Sequence, residues 1–117
     1  MNLLGYASLI VPALFYKRYL DSKNYKAYFN LGGVLHDMGR LEDAVKSYKN
    51  SLNINPSFAE AHNNLGSALQ ELKQFENAKK EFEMATSLNQ NYAQAFHNLG
   101  IICEIINEPK EAIAHYE

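Results

Sequence analysis

One cysteine, Cys103, and four histidines, His36, His62, His97 and His115, are the side chains best suited to nucleophilic, acid–base or metal chemistry in this 117-residue chain. A covalent mechanism needs a nucleophile, a base and a stabiliser in one cleft. Cys103 and His97 are six residues apart, about 240° round a helix of ~3.6 residues per turn, so they face different ways. Cys103 therefore reads as a small core residue. His97 and Glu104 do share a face, but two ligands do not make a metal site. His36 and His115 read as solvated, and His62 as a packing residue. Lys79, Lys80, Glu81 and Glu83 read as the wet face of a helix, with Lys79 and Glu83 as an i,i+4 pair. The six glycines are dispersed rather than gathered into a phosphate-cradling loop. The expectation is a chain with no catalytic residue, no cofactor and no metal.

Charge and composition narrow the partners. Eleven basic residues against thirteen acidic ones leave a net charge of -2, with no basic excess to meet a phosphate backbone, so nucleic acid is not expected. A lone cysteine cannot form an internal disulfide, and a reducing, cytoplasmic setting is expected. The stretch 3–16 carries no charge before Lys17 and Arg18, but fourteen helical residues reach only about 21 Å against a hydrocarbon core of ~30 Å. Residues 1–24 are expected to form an apolar capping helix, kinked at Pro12. Membrane contact through residues 1–20 is the lesser alternative.

What positions these side chains is a repeat. Asn30-Leu31-Gly32 returns as Asn64-Leu65-Gly66 and as Asn98-Leu99-Gly100, each 34 residues after the last. Ala27, Ala61 and Ala95 keep the same step, as do Ala44, Ala78 and Ala112, with a ring four residues after each of the latter at Tyr48, Phe82 and Tyr116. A 34-residue period with this content resembles the tetratricopeptide repeat, a helix-turn-helix unit. The resemblance covers 25–117, with units at 25–58, 59–92 and a shortened 93–117, and implies an all-α, right-handed α-solenoid. Tyr28, His62 and Phe96 stand where the family usually has Trp, and Gln90 stands where the first unit has Pro56.

Helix A is expected at 25–38, 58–72 and 92–106, and helix B at 41–54, 75–88 and 109–117. Ser57 with Glu60 and Asn91 with Gln94 read as capping boxes, Gly39 as a left-handed helix end, and Pro109 as a first-turn residue. Glycine inside a helix costs about 1 kcal/mol relative to alanine, so Gly32, Gly66 and Gly100 are expected to allow close approach of helix B, with Ala44, Ala78 and Ala112 as the small residues meeting them. Glu117 falls inside the last helix B. The chain is thus expected to be a fragment, with Ile101, Ile102, Ile105, Ile106 and Ile113 short of cover and self-association through the shortened unit.

The resemblance also implies a partner site. In such arrays the inward positions of helix A line a concave groove; here they include Lys26, Phe29, Asn30 and His36, then Asn63, Asn64, Gln70 and Glu71, then His97, Asn98, Ile101, Glu104 and Ile105. The carboxylate clamp of chaperone-binding members needs basic and amide residues where this chain has Phe29, Gly33, Gln94 and Asn98, and only Asn64 matches. A mid-helix asparagine has poor helix propensity, yet Asn30, Asn64 and Asn98 hold one register position. Their amides can bond the backbone of an extended peptide whatever its side chains. This row is similar to the asparagine ladder of the O-GlcNAc transferase type of array. The bland explanation is inheritance within a chain of thirteen asparagines. The function read from these residues is a protein-interaction module holding an extended peptide. The alternatives are the substrate arm of a larger enzyme such as a glycosyltransferase, and a membrane-tethered assembly factor.

Overall fold

The computed structural model describes residues 24–107. The expected N-terminal helix, the helix at 109–117, the role of Pro109, and His115 and Tyr116 lie outside the described residues. Within them the chain forms five helices: α1 (Tyr25–Asp37), α2 (Leu41–Ile54), α3 (Ala59–Glu71), α4 (Phe75–Leu88) and α5 (Ala93–Asn107). Each packs on its neighbours in sequence, and α3 also touches α1 and α5. The result is an all-α solenoid of stacked helix pairs.

Helical spacing of the apolar and small residues explains which faces are buried. In α2 these are Ala44, Ser47, Tyr48 and Ser51, and in α4 Ala78, Phe82, Ala85 and Thr86, a single stripe in each case. α3 is flanked on several sides, and accordingly buries eight of its thirteen residues, Asn63 and His62 among them. Ala44, Tyr48, Leu65, Ala68, Leu69, Ala78, Phe82, Ile102 and Ile105 form one continuous core. Ile102 and Ile105, expected to lack cover, are instead buried. They face back into this core rather than towards the chain end.

Gly32 and Gly66 meet rings. A Cβ at Gly32 would lie 2.6 Å from the Tyr48 ring, and one at Gly66 2.6 Å from the Phe82 ring. The ring, rather than Ala44 or Ala78, is the first contact such a Cβ would make. Those alanines are fully buried, but it is the aromatic ring one turn further along that fills the space of the missing side chain.

Both pair-internal turns end in a left-handed residue. Gly39 has φ 78° and Lys73, its counterpart, φ 64°. In each turn two backbone bonds close the helix end: Gly39 and Arg40 N–H donate to the His36 and Leu35 carbonyls, and Lys73 and Gln74 N–H to those of Gln70 and Leu69, the Schellman arrangement. The expected capping boxes do not form. α3 begins one residue later than expected, with Phe58 at the N-cap and no side-chain cap, which leaves Ser57 a residue too early. The Asn55 and Asn89 side chains instead accept the Ser57 and Asn91 N–H groups, at 3.2 and 3.0 Å. These two turns also share the Phe58-to-Asn55 and Tyr92-to-Asn89 backbone bonds, so Gln90 replaces Pro56 without changing the turn.

The ring contact makes a prediction that separates two glycines. Gly66→Ala forces a methyl group into the Phe82 ring and is expected to cost about 1–3 kcal/mol, the usual range for overpacking. Gly33 lies on α1 with only ordinary contact, 4.0 Å from the Tyr48 hydroxyl, to an added Cβ, so Gly33→Ala is expected to gain up to ~1 kcal/mol from helix propensity. Chemical denaturation of the two variants, monitored by circular dichroism, checks both signs.

Candidate functional site

Asn30, Asn64 and Asn98 occupy equivalent points of α1, α3 and α5, but their surroundings differ. Asn30 and Lys26 are exposed, whereas Asn64 and Asn98 are half-buried. The Asn98 amide donates to the Asn63 side-chain oxygen at 2.9 Å. Asn63 itself is 1% exposed, so this residue, expected to line the groove, serves inside the α3–α5 joint. Burial raises the pKa of the Tyr92 hydroxyl, the Glu60 charge adds to the shift, and hydrogen bonding to Asn63 opposes it.

The preceding joint solves the same problem with different residues. Phe29 stands where the next helix pair has Asn63 and offers no hydrogen bond; its ring packs at 4.8 Å from Phe58 and 5.9 Å from Tyr48. Here the polar partner comes from the ring over glycine. Burial raises the pKa of the Tyr48 hydroxyl, hydrogen bonding to Asn64 opposes that, and the charges of Asp37 and Glu71 add to it. In the second joint Phe82 has no hydroxyl, and Asn63 takes over the bond to the next asparagine. Two of the three asparagines in the row are therefore structural as well as half-open to solvent.

His36 is half-buried rather than solvated. Its Nε2 pairs with the Glu71 carboxylate, joining α1 to the end of α3, and its ring stands edge-on to Tyr48 at 6.4 Å. His97 and Glu104 are exposed on α5, and Gln70 is half-buried near the end of α3.

Gln70 and Glu71 line a cleft of about 510 Å³ together with Leu41, Phe75, Ile101 and Ile105. On α5, Asn98, Ile101 and Ile105 are three and seven residues apart and thus share one face with the asparagine row. Gln70, Glu71, Ile101 and Ile105 are inward helix A positions of the expected groove; what the sequence does not show is the cleft that Leu41 and Phe75 close against them. Leu41, Phe75 and Lys73, its other lining residues, start the B helices or sit in the turn before one, outside the helix A positions from which the groove was read.

His62 is the most constrained titratable group. Read from sequence as a packing ring, it is 7% exposed but bonded at both nitrogens: Nδ1 to the Glu81 carboxylate at 2.7 Å and Nε2 to the Pro56 carbonyl at 2.8 Å. Both partners are acceptors, so the doubly protonated ring satisfies both bonds. In the first helix pair the same contact is made by Ser47, whose hydroxyl donates to the Tyr28 carbonyl at 2.7 Å. The signal available in the sequence was the pairing of His62 with a carboxylate nineteen residues on, where the first pair has Tyr28 and Ser47. Desolvation lowers the His62 pKa, but the Glu81 bond and charge and the Pro56 bond outweigh it, and the net shift is upward.

No helix among the described residues is long and apolar enough to cross a membrane. A family model described as "Tetratricopeptide repeat" matches residues 57–117, and one described as "TPR repeat" matches residues 32–73. No curated protein sequence matches significantly. Among solved structures, the first TPR of Spaghetti (RPAP3) bound to HSP90 peptide SRMEEVD is similar with a TM-score of 0.67 and 23% identity, over 69% of this chain and 64% of that one. MamA is similar with a TM-score of 0.70 and 31% identity, over 80% of this chain and 54% of that one. The Arabidopsis OM64 TPR domain gives 0.71 and 19%, over 74% and 71%. The chain thus spans between half and two-thirds of the first two structures, and the likenesses at 23% and 19% identity show the fold alone.

The His62 bonds predict a pH dependence of known sign. A histidine whose folded pKa lies above its unfolded value of ~6.5 stabilises the fold fully below that value. The contribution is lost as pH rises through the folded pKa. The chain is expected to unfold at lower denaturant concentration at pH 8.5 than at pH 6, and His62→Phe is expected to flatten that dependence. Urea midpoints of both proteins at the two pH values check it.

Proposed function

The chain belongs to the tetratricopeptide repeat family, and on that premise we propose that it is a protein-interaction module whose A-helix face holds an extended peptide segment. Members of this family are typically non-catalytic interaction modules. The observation that carries the reading is the alignment, on one face of α5, of the half-open Asn98 amide with Ile101 and Ile105 of the cleft, in register with Asn64 and Glu71 on α3. Amides positioned this way bond a passing peptide backbone, while the cleft next to them accepts a side chain. Among the described residues, neither B helix carries such a row.

The ligand's class follows from the residues at the groove positions. The HSP90 peptide in the RPAP3 complex is a different case from the one proposed here, because Phe29, Gly33, Gln94 and Asn98 leave no basic cradle for a terminal carboxylate. An internal, extended segment fits better. The finer likeness to O-GlcNAc transferase arrays rests on the same row of asparagines, of which Asn30 is the member least committed to the fold. A reducing, cytoplasmic setting accords with the single cysteine.

Asn30 is therefore the informative position. Replacing Asn64 or Asn98 by alanine deprives Tyr48 or the buried Asn63 of a partner, so the stability gain expected from better helix propensity is outweighed at those sites. Pull-down with the full chain followed by mass spectrometry identifies a bound segment. Anisotropy with that segment is then expected to show Asn30→Ala binding about two- to tenfold more weakly, the equivalent of a net hydrogen bond of ~0.5–1.5 kcal/mol, with an unchanged helical spectrum. A folded Asn30→Ala/Asn64→Ala/Asn98→Ala protein that binds like wild type contradicts the reading.

A further inference from the structure

The cleft beside the asparagine row has a chemistry of its own. Leu41 and Phe75, the first residues of α2 and α4, and Ile101 and Ile105 on α5 give it apolar walls. Ile105 is buried and Ile101 half-buried, so the apolar lining continues from the floor towards the rim. Its volume, about 510 Å³, falls within the ~300–1,000 Å³ of small-ligand pockets.

One carboxylate lines this opening, and a second is exposed on the helix that walls it. Glu71 lines it with a side chain 56% exposed, and Glu104 is exposed on α5 between Ile101 and Ile105. Asp37 and Glu71 both lie close enough to Tyr48 to act on its hydroxyl. His36 pairs with Glu71. Lys73 lines the cleft as well, but it is already engaged within the protein.

We propose that this cleft takes one large aliphatic or aromatic side chain of an extended peptide, and that Glu71 and Glu104 take a lysine or arginine two residues away from it. The inference rests on reading the A-helix face as a peptide groove. The spacing comes from strand geometry: residues i and i+2 of an extended chain point the same way and are ~6.6 Å apart. That places an apolar side chain in the cleft and a basic one at its rim. Desolvated apolar contact supplies most of the affinity, and the ion pairs at the exposed rim select for sign and weaken with salt.

The test uses the full chain and three fluorescein-labelled ten-residue peptides in a Ser/Ala background, carrying Leu-Ser-Arg, Leu-Ser-Glu or Ser-Ser-Ser at the centre. Anisotropy at low salt is expected to rank Leu-Ser-Arg at least tenfold tighter than either other peptide, with the margin over Leu-Ser-Glu shrinking at 0.5 M salt. Ile101→Glu is expected to weaken Leu-Ser-Arg at least fivefold. Glu71→Lys/Glu104→Lys, which also removes the His36 pair, is expected to turn the preference towards Leu-Ser-Glu while the helical spectrum stays unchanged. Equal binding of all three peptides, lost on Asn30→Ala, overturns this anchor and leaves the peptide groove standing. An unchanged preference in the double lysine variant overturns the charge selection. Absence of binding by any peptide counts against the anchor and the groove together.

Discussion

An aromatic ring seated where a helix has no side chain is the contact on which this solenoid depends. Tyr48 over Gly32 and Phe82 over Gly66 draw each B helix onto its A helix at a distance that even a methyl group would prevent. Both rings are almost wholly buried, and dispersion and desolvation act together on their full area. A glycine costs a helix about 1 kcal/mol; a buried ring is worth several times that when removed to alanine. The balance explains why a helix-weakening residue occupies the middle of α1 and α3.

The joints between pairs are built on top of this contact and vary with its chemistry. Where the ring is Tyr48, its hydroxyl meets Asn64 of the next A helix. Where the ring is Phe82, that bond is lost and Asn63 supplies the oxygen for Asn98, in the place occupied by the purely apolar Phe29 one pair earlier. Each buried polar group thus has a partner, and among the described residues no buried side-chain polar atom is left without one. The same exchange relates Ser47 and Tyr28 to Glu81 and His62.

Much of this was legible in the sequence because a 34-residue period is a long-range constraint written locally. Gly32 and Gly66, Ala44 and Ala78, and the rings at Tyr48 and Phe82 mark the register without any structural knowledge, and Gly39 announces its own turn. The left-handed residue at Lys73 was not legible, since nothing in a lysine signals that conformation; the turn imposes it through its two backbone bonds. The capping boxes failed because a one-residue shift in each helix start removes the Ser57 hydroxyl and the Asn91 amide from reach. For the candidate site, the asparagine row was visible as a repeated type at a costly position. The burial of Asn63, the pairing of His36 with Glu71 and the cleft between α3 and α5 were not, because they arise between units whose relative placement periodicity alone does not give.

The claim that ring and glycine compete for one space is tested most directly by a double-mutant cycle on folding stability. Gly66→Ala and Phe82→Leu are measured singly and together by urea denaturation. Trimming the ring frees room for the methyl group, so the two effects should be non-additive, with Gly66→Ala less damaging in the Phe82→Leu background by about 0.5–3 kcal/mol, the range seen for residues in contact. Strict additivity would contradict the account, since it would mean that the glycine is required for some reason other than the ring above it.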